Sequence, residues 1–346
     1  MHHQIDNGSF VHEADVSDVD SAYNGSISNE SYTESITSTA FNYQYENGRR
    51  YHSFHEGEYF LPNDEREQDR LDLVSLQLST NSNELLTHES RQSHHIYLML
   101  LKGELHLAPV KNPGRVLDLG TGTGIWALDF ADDNPASEVV GIDLSPIQPA
   151  WVPPNCRFEV DDFEEPWTYS HKFDYVHGRE MEGSIRDHDQ LFQRIYENLN
   201  PGGWCEMSSM EVNTYSDDDT HLRASSMLDV AKELHGASRV FGKDMSSIST
   251  WKNRMERAGF INVKEVIFKL PQSPWSKDPK LKELGRFHQL NMLEAMPPYC
   301  YALFTRTLGW HRIQIEALLA GVRRELKDLS LHLYTKVHFV YGQKPG

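Results

Sequence analysis

The sequence predicts an α/β protein with a seven-stranded sheet covered by helices on both faces, and three observations support that class. Between residues 115 and 207, apolar strand-like segments alternate with helical segments, which is typical of a parallel sheet. A glycine-rich turn follows the first of these strands. Two later segments, 260–271 and 332–345, have strand patterning and predict a final strand pair.

The alternating part predicts five strands and two helices in a definite order. The strands are RVLDLG (115–120), EVVGIDLS (138–145), CRFEVDDF (156–163), FDYVHGR (173–179) and GGWCEMSSMEV (202–212), and the helices are GIWALDFADDN (124–134) and HDQLFQRIYENL (188–199). Further helices are predicted at 65–80, near 88–105, at 224–242 and over roughly 279–328. Asp64 is the expected N-cap of the first of them.

Composition limits the classes of protein to which the chain can belong. Its 346 residues include 51 acidic and 33 basic side chains, a formal net charge of −18. This acidity argues against direct nucleic-acid binding, which relies on a basic surface. No run of 18 apolar residues is present, so we expect no membrane-spanning helix. The three cysteines are far apart and predict no disulfide framework, so we expect a cytoplasmic protein, with the nucleus as the alternative.

Composition also divides the chain into segments. The first 48 residues contain eight acids and no Lys or Arg and are rich in Ser, Asn and Thr, which predicts a disordered acidic tail over residues 1–40. The segments expected after it are an N-terminal helical lid (41–110), a cofactor-binding core (111–271), a helical cap inserted before the last strand (272–330) and a final core strand (331–346).

The strongest motif is VLDLGTGTG, residues 116–124. It places Asp118 at the carboxyl end of a buried strand, where open α/β sheets bind ligands. The candidate ligand contacts in the loop that follows are Gly120, Thr121, Gly122 and Gly124. The glycines allow a tight turn and close approach of a ligand to the backbone, and the next helix offers free amides and partial positive charge.

The next two strands end in further candidate contacts. Asp143, followed by Leu144, comes nineteen residues after Gly124, and a carboxylate there can accept both ribose hydroxyls of an adenosine ligand. The third strand ends in Asp161, Asp162 and Phe163. A carboxylate at that place can accept the adenine amino group while the aromatic ring stacks on the base. The alternative is a solvated acidic turn.

The negative charge of Asp118, just before the glycine loop, distinguishes between cofactor classes. Dinucleotide enzymes favour GxGxxG, whereas this chain reads GxGxG with Asp118 two residues before the first glycine. A carboxylate there repels a pyrophosphate and suits a cation, such as the ammonium or sulfonium of S-adenosylmethionine. We therefore expect S-adenosylmethionine as the cofactor, with a nucleotide or a purely structural loop as the alternative.

The fourth strand ends in the candidate catalytic residues His177 and Glu180, and His177 can also line the methionine part of the cofactor. Methyl transfer mainly requires alignment of donor and acceptor, and a general base is needed only when the acceptor must lose a proton. Other candidate bases are His188, Glu206 and Glu211. A structural Arg179–Glu180 ion pair is the alternative. No residue cluster has metal-ligand spacing, so we expect no metal site.

Several segments resemble the fungal LaeA-like methyltransferases, also called TAM-domain methyltransferases. They are NGRRYHSFHEGEYFLPNDEREQDRLD (47–72), VLDLGTGTGIWALDFA (116–131), IDLSPIQP (142–149), LNPGGWCEM (199–207) and HFVYGQKP (338–345). The resemblance covers roughly residues 42–345 and implies the Rossmann-like fold of class I methyltransferases. It also implies that Gly120, Gly122, Gly124 and Asp143 bind S-adenosylmethionine. One departure is that the loop reads LGTGTGIW where the founding regulators read LGCGTGIW.

Three functions remain open at this point. The first is methylation of a small secondary metabolite on O, N or C. The second, implied by the family, is regulation of secondary metabolism and development in a complex with a velvet-type protein. The third is a scaffold that binds the cofactor without turnover.

The segments outside the core are expected to build the acceptor site. We expect residues 41–105 to fold over the cofactor, with Tyr51 or Tyr59 closing the site. The cap contains apolar side chains that either line an acceptor pocket or pack the cap onto the sheet. They are Trp275, Phe287, Met292, Met296, Tyr299, Tyr301, Phe304 and Trp310.

Overall fold

The computed structural model describes residues 43–46, 48–52, 59–71 and 92–346 of the chain. The predicted acidic tail (1–40) and the part of the predicted helix 65–80 beyond residue 71 lie outside the described residues. The described chain begins with a short antiparallel hairpin of β1 (Gln44–Glu46) and β2 (Arg49–Tyr51).

Seven strands of the described ranges form one mixed sheet, which confirms the predicted fold class. They are β3 (Arg115–Leu119), β4 (Glu138–Asp143), β5 (Cys156–Val160), β6 (Phe173–Arg179), β7 (Leu199–Met210), β8 (Ile261–Pro271) and β9 (Tyr334–Gln343). Their order is β5-β4-β3-β6-β7-β9-β8. Strands β3 to β7 are parallel, and β9 pairs antiparallel with both β7 and β8. The order reverses at β3, between β4 and β6, which is where such sheets bind ligands.

Eight α-helices lie in the part of the chain that the structure describes. They are α1 (Glu65–Leu71), α2 (Gln92–Leu101), α3 (Ile125–Asp133), α4 (His188–Asn198), α5 (Ser225–Phe241), α6 (Trp251–Ala258), α7 (Pro279–Leu308) and α8 (Arg312–Lys327). The predicted N-cap is confirmed, because the Glu67 amide donates to Asp64 Oδ1 at 3.1 Å. The stretch predicted as helical over 279–328 is two helices, because Gly309 at φ 66° ends α7. Among these helices none is long and apolar enough to cross a bilayer.

Different helices cover the two faces of the sheet. Val116 and Leu117 are neighbours on β3, so their side chains lie on opposite faces and belong to different buried clusters. The cluster of Val116 includes Trp126 of α3, and the cluster of Leu117 includes Phe192 of α4 and Trp251 of α6. Strand β3 is therefore buried from both sides, which explains why the neighbouring residues Val116 and Leu117 are both apolar.

The helical cap is built from two separate insertions. Helix α5 comes from the connection between β7 and β8, and α7 and α8 come from the connection between β8 and β9. Buried side chains of all three helices form one cluster with Tyr51 and Phe60 of the N-terminal segment. Helix α5 lies within the range expected as core, and its buried face packs with the cap.

Candidate functional site

A cavity opens at the edge of the sheet where β3, β4 and β6 end, and we call it the sheet-edge cavity. The pairing of Asp118 with His177 brings the ends of β3 and β6 together, and Asp143 is the last residue of β4. The residues predicted from the sequence that line it are Asp118, Gly120, Thr121, Gly122, Asp143, Leu144, Asp162, Phe163, His177 and Glu180. Of the predicted cofactor-binding residues, Gly124 and Asp161 are not among its described lining residues.

Backbone geometry explains the glycines of the loop. Gly120 and Gly122 have φ of 57° and 59°, in the left-handed region that favours glycine. Gly124, at φ 85°, is the N-cap of α3, and a Cβ there would lie 2.3 Å from the Phe158 ring. Its missing side chain therefore makes room for a neighbouring ring, and Gly124 is not among the described lining residues of the cavity.

Both carboxylate oxygens of Asp118 are engaged by neighbouring side chains. Thr121 Oγ1 donates to one oxygen at 2.6 Å, and His177 Nδ1 lies 2.7 Å from the other. The His177 ring stacks on Trp126, with centroids 3.6 Å apart and planes 8° from parallel. Burial lowers the pKa of His177, although the bond to Asp118 opposes this. The three side chains hold the glycine loop against the end of β6.

Asp143 is held by backbone amides on both of its oxygens. The Gly122 amide donates at 2.8 Å and the Ser145 amide at 2.9 Å. Burial raises the pKa of the Asp143 carboxyl to about 6, while these two amides act in the opposite direction. A carboxylate has about four lone-pair sites, so Asp143 can still accept a further hydrogen bond from a ligand.

The turn after β5 separates the three residues predicted there. Asp162 and Phe163 are buried and line the sheet-edge cavity. Asp162 also accepts from the Glu164 amide at 2.8 Å, which fixes its orientation. Asp161 lies outside the lining and accepts from the Asp162 amide at 2.8 Å, so it shapes the turn.

The N-terminal segment covers the same cavity. Tyr59, Asn63 and Glu67 are among its lining residues, and Asn63 Nδ2 donates to Ser145 Oγ at 3.2 Å. Of the two tyrosines expected at the mouth, Tyr59 lines the cavity, whereas Tyr51 is buried in the cap cluster. In the cap cluster, the guanidinium of Arg306 lies 5.1 Å from the Tyr51 ring, and this cation–π contact helps to hold Tyr51 there.

The sheet-edge cavity is also lined by residues that the sequence analysis did not predict. They are Pro62, Asn63, Glu67, Ser93, Thr123, Ile125, Trp126, Ser145, Ile147, Arg179, Met181, Ser184 and Lys243. Asn63 and Ser145 belong to the two segments that carried the resemblance, LPND and IDLSPIQP, and that was the available signal. Ser93 and Lys243 reach the cavity only through the packing of distant segments.

A second cavity, which we call the cap cavity, adjoins the first. The two share the lining residues Tyr59, Ser93 and Glu180. Of the eight cap residues singled out in the sequence, Met292, Met296 and Tyr299 line it. The others, which are not among its described lining residues, are Trp275, Phe287, Tyr301, Phe304 and Trp310. Only a minority of the cap side chains expected at an acceptor pocket therefore line this cavity.

Glu180 lies where the two cavities meet. Its φ of 58° is uncommon for a residue with a side chain, and such strained positions are concentrated at functional sites. Its carboxylate accepts hydrogen bonds from the Tyr97 hydroxyl and, at 3.4 Å, from Ser209 Oγ. Burial and the adjacent Glu180 carboxylate raise the pKa of Tyr97, so this phenol keeps its proton and donates.

Two of the other predicted bases make structural contacts instead. Glu206 on β7 accepts from the amides of Leu107 and Ala108 at 2.9 and 2.5 Å. His188 Nε2 lies 2.8 Å from Ser247 Oγ. Burial raises the pKa of Glu206 to about 7 and lowers that of His188 to about 4. Neither residue is among the described lining of either cavity, whereas Glu211 lines the cap cavity.

Comparison with known proteins gives consistent matches over most of the chain. A family profile described as a methyltransferase domain matches residues 92–265. Methyltransferase pytC of Aspergillus terreus is 39% identical over 325 residues, which cover 92% of this chain and 94% of pytC. Secondary metabolism regulator LAE1 of Cochliobolus heterostrophus is 34% identical, covering 87% of this chain and 94% of LAE1. Protein-methionine methyltransferase laeA of Emericella nidulans is 35% identical, covering 87% and 76%.

Solved structures of methyltransferases are also similar. Phosphoethanolamine N-methyltransferase 2 of Haemonchus contortus, solved with S-adenosyl-L-methionine, matches with a TM-score of 0.43 and 22% identity, covering 73% of this chain and 52% of that one. The family profile and the relatives confirm the resemblance seen in the sequence. The chain belongs to the fungal LaeA-like family and is an S-adenosylmethionine-dependent methyltransferase of secondary metabolism.

Proposed function

We propose that this methyltransferase acts on a small secondary metabolite, which enters the cap cavity and meets the donor at Glu180. The observation that carries this proposal is that the two cavities are separate but share Tyr59, Ser93 and Glu180. A donor on the sheet-edge side and an acceptor on the cap side would then face each other across those residues. Alignment of two bound reactants is the main contribution an enzyme makes to methyl transfer.

The sheet-edge cavity has the chemistry that S-adenosylmethionine needs. We assign the ribose hydroxyls to Asp143, which lines the cavity and whose oxygens accept from the Gly122 and Ser145 amides, and the adenine to Asp162 and Phe163. The backbone of Gly120 to Gly122 would border the methionine part, where Asp118 would contribute negative charge toward the ammonium group. Gly124 and Asp161 are assigned to packing and to the turn, since neither lines the cavity.

Two residues at the end of β6 receive different roles. When bound, the cofactor supplies a methyl group on a positively charged sulfur, and the C–S bonding pair returns to that sulfur on transfer. His177 is held by Asp118 and Trp126, so we propose that it positions the loop. Glu180 lines both cavities, so we propose that it orients the acceptor and takes its proton when the acceptor atom is a hydroxyl.

The first test is a transfer assay with methyl-labelled S-adenosylmethionine and a native fungal extract, separated into organic-soluble and protein fractions. We expect label in the organic fraction and its loss with Asp143→Ala, because this variant removes hydrogen bonds to the donor. The binding free energy of the cofactor should become less favourable by about 1–3 kcal/mol. Label in the organic fraction that persists with Asp143→Ala at limiting cofactor would contradict the donor site.

Glu180→Gln tests the acceptor side. Gln keeps a hydrogen-bond acceptor for Tyr97 but cannot take a proton, so we expect label transfer to fall by about 100-fold for a hydroxyl acceptor. Cofactor affinity, measured by calorimetry, should remain within about twofold of the wild type. Full transfer activity in Glu180→Gln would contradict the proposal that Glu180 takes the proton of the acceptor.

A second candidate function is regulatory transfer to protein. The relative in Emericella nidulans carries the name protein-methionine methyltransferase, and in this chain Met181 lines the sheet-edge cavity. Its sulfur lies 2.9 Å from the position that a Cβ on Gly120 would take. Label confined to protein, lost with Met181→Leu, would favour this function. Co-purification of a velvet-type protein with the tagged chain would favour the regulatory complex, and either outcome leaves the donor site unchanged.

A further inference from the structure

We infer that the cap cavity takes a neutral, largely apolar acceptor with a hydroxyl group or a similar group that both donates and accepts, and that His288 positions it. This inference rests on the proposed function, since it names the chemical class of molecule that would occupy the acceptor side. It adds a residue that the sequence did not single out.

His288 is a buried polar group with no protein partner in the described part of the chain. It lies on α7, is 3% exposed and lines the cap cavity. Neither Nδ1 nor Nε2 has a hydrogen-bond partner among the described residues. A buried polar atom without a partner costs free energy, so such atoms in native proteins call for a ligand or an ordered water.

The protonation state of His288 defines what it can bind. Burial lowers the pKa of its imidazole to about 3, so the ring is neutral at physiological pH. A neutral imidazole presents one N–H donor and one nitrogen acceptor. A hydroxyl can donate or accept, so it can pair with whichever ring nitrogen faces it, whereas an ammonium pairs only with the acceptor nitrogen and a carboxylate only with the N–H.

The charges around the cavity favour a neutral molecule. Its described lining contains the carboxylates Glu180, Glu182 and Glu211 and no lysine or arginine. An anionic ligand would therefore be repelled and left without a counter-ion.

Two of these carboxylates have partners within the protein, which leaves them fewer acceptor sites for a cationic ligand. Glu182 accepts from the Ser247 amide at 2.8 Å, and Glu211 lies 2.7 Å from His338 Nε2. The remaining lining is rich in apolar side chains, and methionine sulfurs adapt to irregular apolar ligands. The methionines that line the cavity are Met210, Met245, Met292 and Met296.

The test uses three probes of one shape on the full chain saturated with S-adenosylhomocysteine. The probes are 2-naphthol, naphthalene and 2-naphthoate, which differ in having a hydroxyl, no polar group or a negative charge. By calorimetry at pH 7.5 we expect 2-naphthol to bind at least tenfold more tightly than either of the other two. Equal affinities, tighter binding of naphthoate or absence of naphthol binding would overturn the inference.

Variants then assign the preference to one side chain. His288→Phe removes both nitrogens and keeps a planar ring, so we expect the preference for 2-naphthol over naphthalene to disappear. His288→Gln retains a donor and an acceptor and should restore part of it. The matched control is His95→Phe, on α2, where the ring packs against Phe287 at 4.7 Å and does not line the cap cavity. An unchanged preference in His288→Phe would overturn the role of His288.

The design separates this inference from the proposed function. Binding of S-adenosylhomocysteine is measured first and tests the donor site alone. If it binds and the naphthol preference is absent, only the acceptor class is wrong; if it does not bind, the donor assignment fails. If His288→Phe does not fold, the three probes on the wild-type chain still decide the class of ligand.

Discussion

Asp118 and Asp143 end neighbouring strands, yet their surroundings give them different roles. The oxygens of Asp118 contact the side chains of Thr121 and His177, so this carboxylate ties the loop to β6. The oxygens of Asp143 contact two backbone amides and face the sheet-edge cavity. In the sequence both residues are simply acids near strand ends, and only their hydrogen-bond partners in the structure show that their roles differ.

The raised pKa of Asp143 predicts a pH dependence of cofactor binding. Its carboxyl titrates near 6 instead of 3.8, so a falling pH protonates it and removes an acceptor for the ribose hydroxyls. We expect affinity for S-adenosylhomocysteine, measured by calorimetry, to weaken below about pH 6. Asp143→Asn should bind about 1–3 kcal/mol more weakly at pH 8 and lack this dependence. The same pH profile in both proteins would assign the effect to another group.

Gly124 is predicted to be required by packing. Gly124→Ala combines the strain of a left-handed backbone, about 1–2 kcal/mol, with a contact of 2.3 Å to the Phe158 ring. The matched control is Gly103→Ala, which has a φ of 95° and no atom within 4 Å of the added Cβ. We expect urea unfolding to show a greater loss of stability for Gly124→Ala than for Gly103→Ala. Equal losses would mean that backbone strain alone selects this glycine.

Among the helices, α5 depends on a side chain from α8. The buried Glu325 accepts from the amides of Ser226 and Met227 at 3.0 and 2.8 Å, in the first turn of α5. A carboxylate at a helix N-terminus accepts hydrogen bonds from free amides and interacts favourably with the positive end of the helix dipole. This contact joins the two insertions that make the cap, which lie on either side of β8 in the chain.

Removal of that contact should destabilise the cap. We expect Glu325→Ala to lower the free energy of unfolding by about 1–3 kcal/mol, because the buried Met227 amide and the half-buried Ser226 amide lose their acceptor. Lys327→Ala, at an exposed position of the same helix, is the control and should change stability by less than about 0.5 kcal/mol. Urea titrations give both values, and equal effects would rule out the capping contact as the cause.

For the molecule as a whole, buried ionisable groups impose opposing pH dependences on stability. Burial raises the pKa of Glu182 and Glu206 from 4.5 to about 7, so the folded state binds more protons and stability falls as pH rises through that window. Burial lowers the pKa of His94 and His188 from 6.5 to about 4, so stability falls as pH drops through that window. The two windows overlap, so these contributions largely cancel between about pH 4.5 and 6.5.

Glu206→Gln isolates one part of this balance. Gln retains an acceptor for the amides of Leu107 and Ala108 and carries no titrating carboxyl. The stability of the variant relative to the wild type should therefore rise as pH increases from about 4.5 to 7. Glu256→Gln, at an exposed position on α6, should show no such trend in the same urea titrations. A constant difference between variant and wild type would show that Glu206 does not titrate in this range.

Features with a local cause could be predicted. Apolar runs predicted the strands, the glycine loop predicted a tight turn, and Asp64 predicted a helix start, because each depends on the conformation of a few consecutive residues. The strand-end rule also placed Asp143 and Asp162 at the ligand edge. The family resemblance extended over most of the chain, so the fold and the methyltransferase class followed from sequence.

The remaining site depends on contacts between distant segments, and local patterns do not specify these. Asn63 reaches Ser145 across 82 residues, and the carboxylate that caps α5 comes from almost 100 residues away. Gly124 had the pattern of a ligand contact, but the Phe158 ring occupies the adjacent space. His288 lies on a helix of mixed polar and apolar residues, and only the packing of the cap buries it at a cavity with no described protein partner for either nitrogen. Side-chain partners are set by which surfaces pack together, and that is a property of the folded chain as a whole.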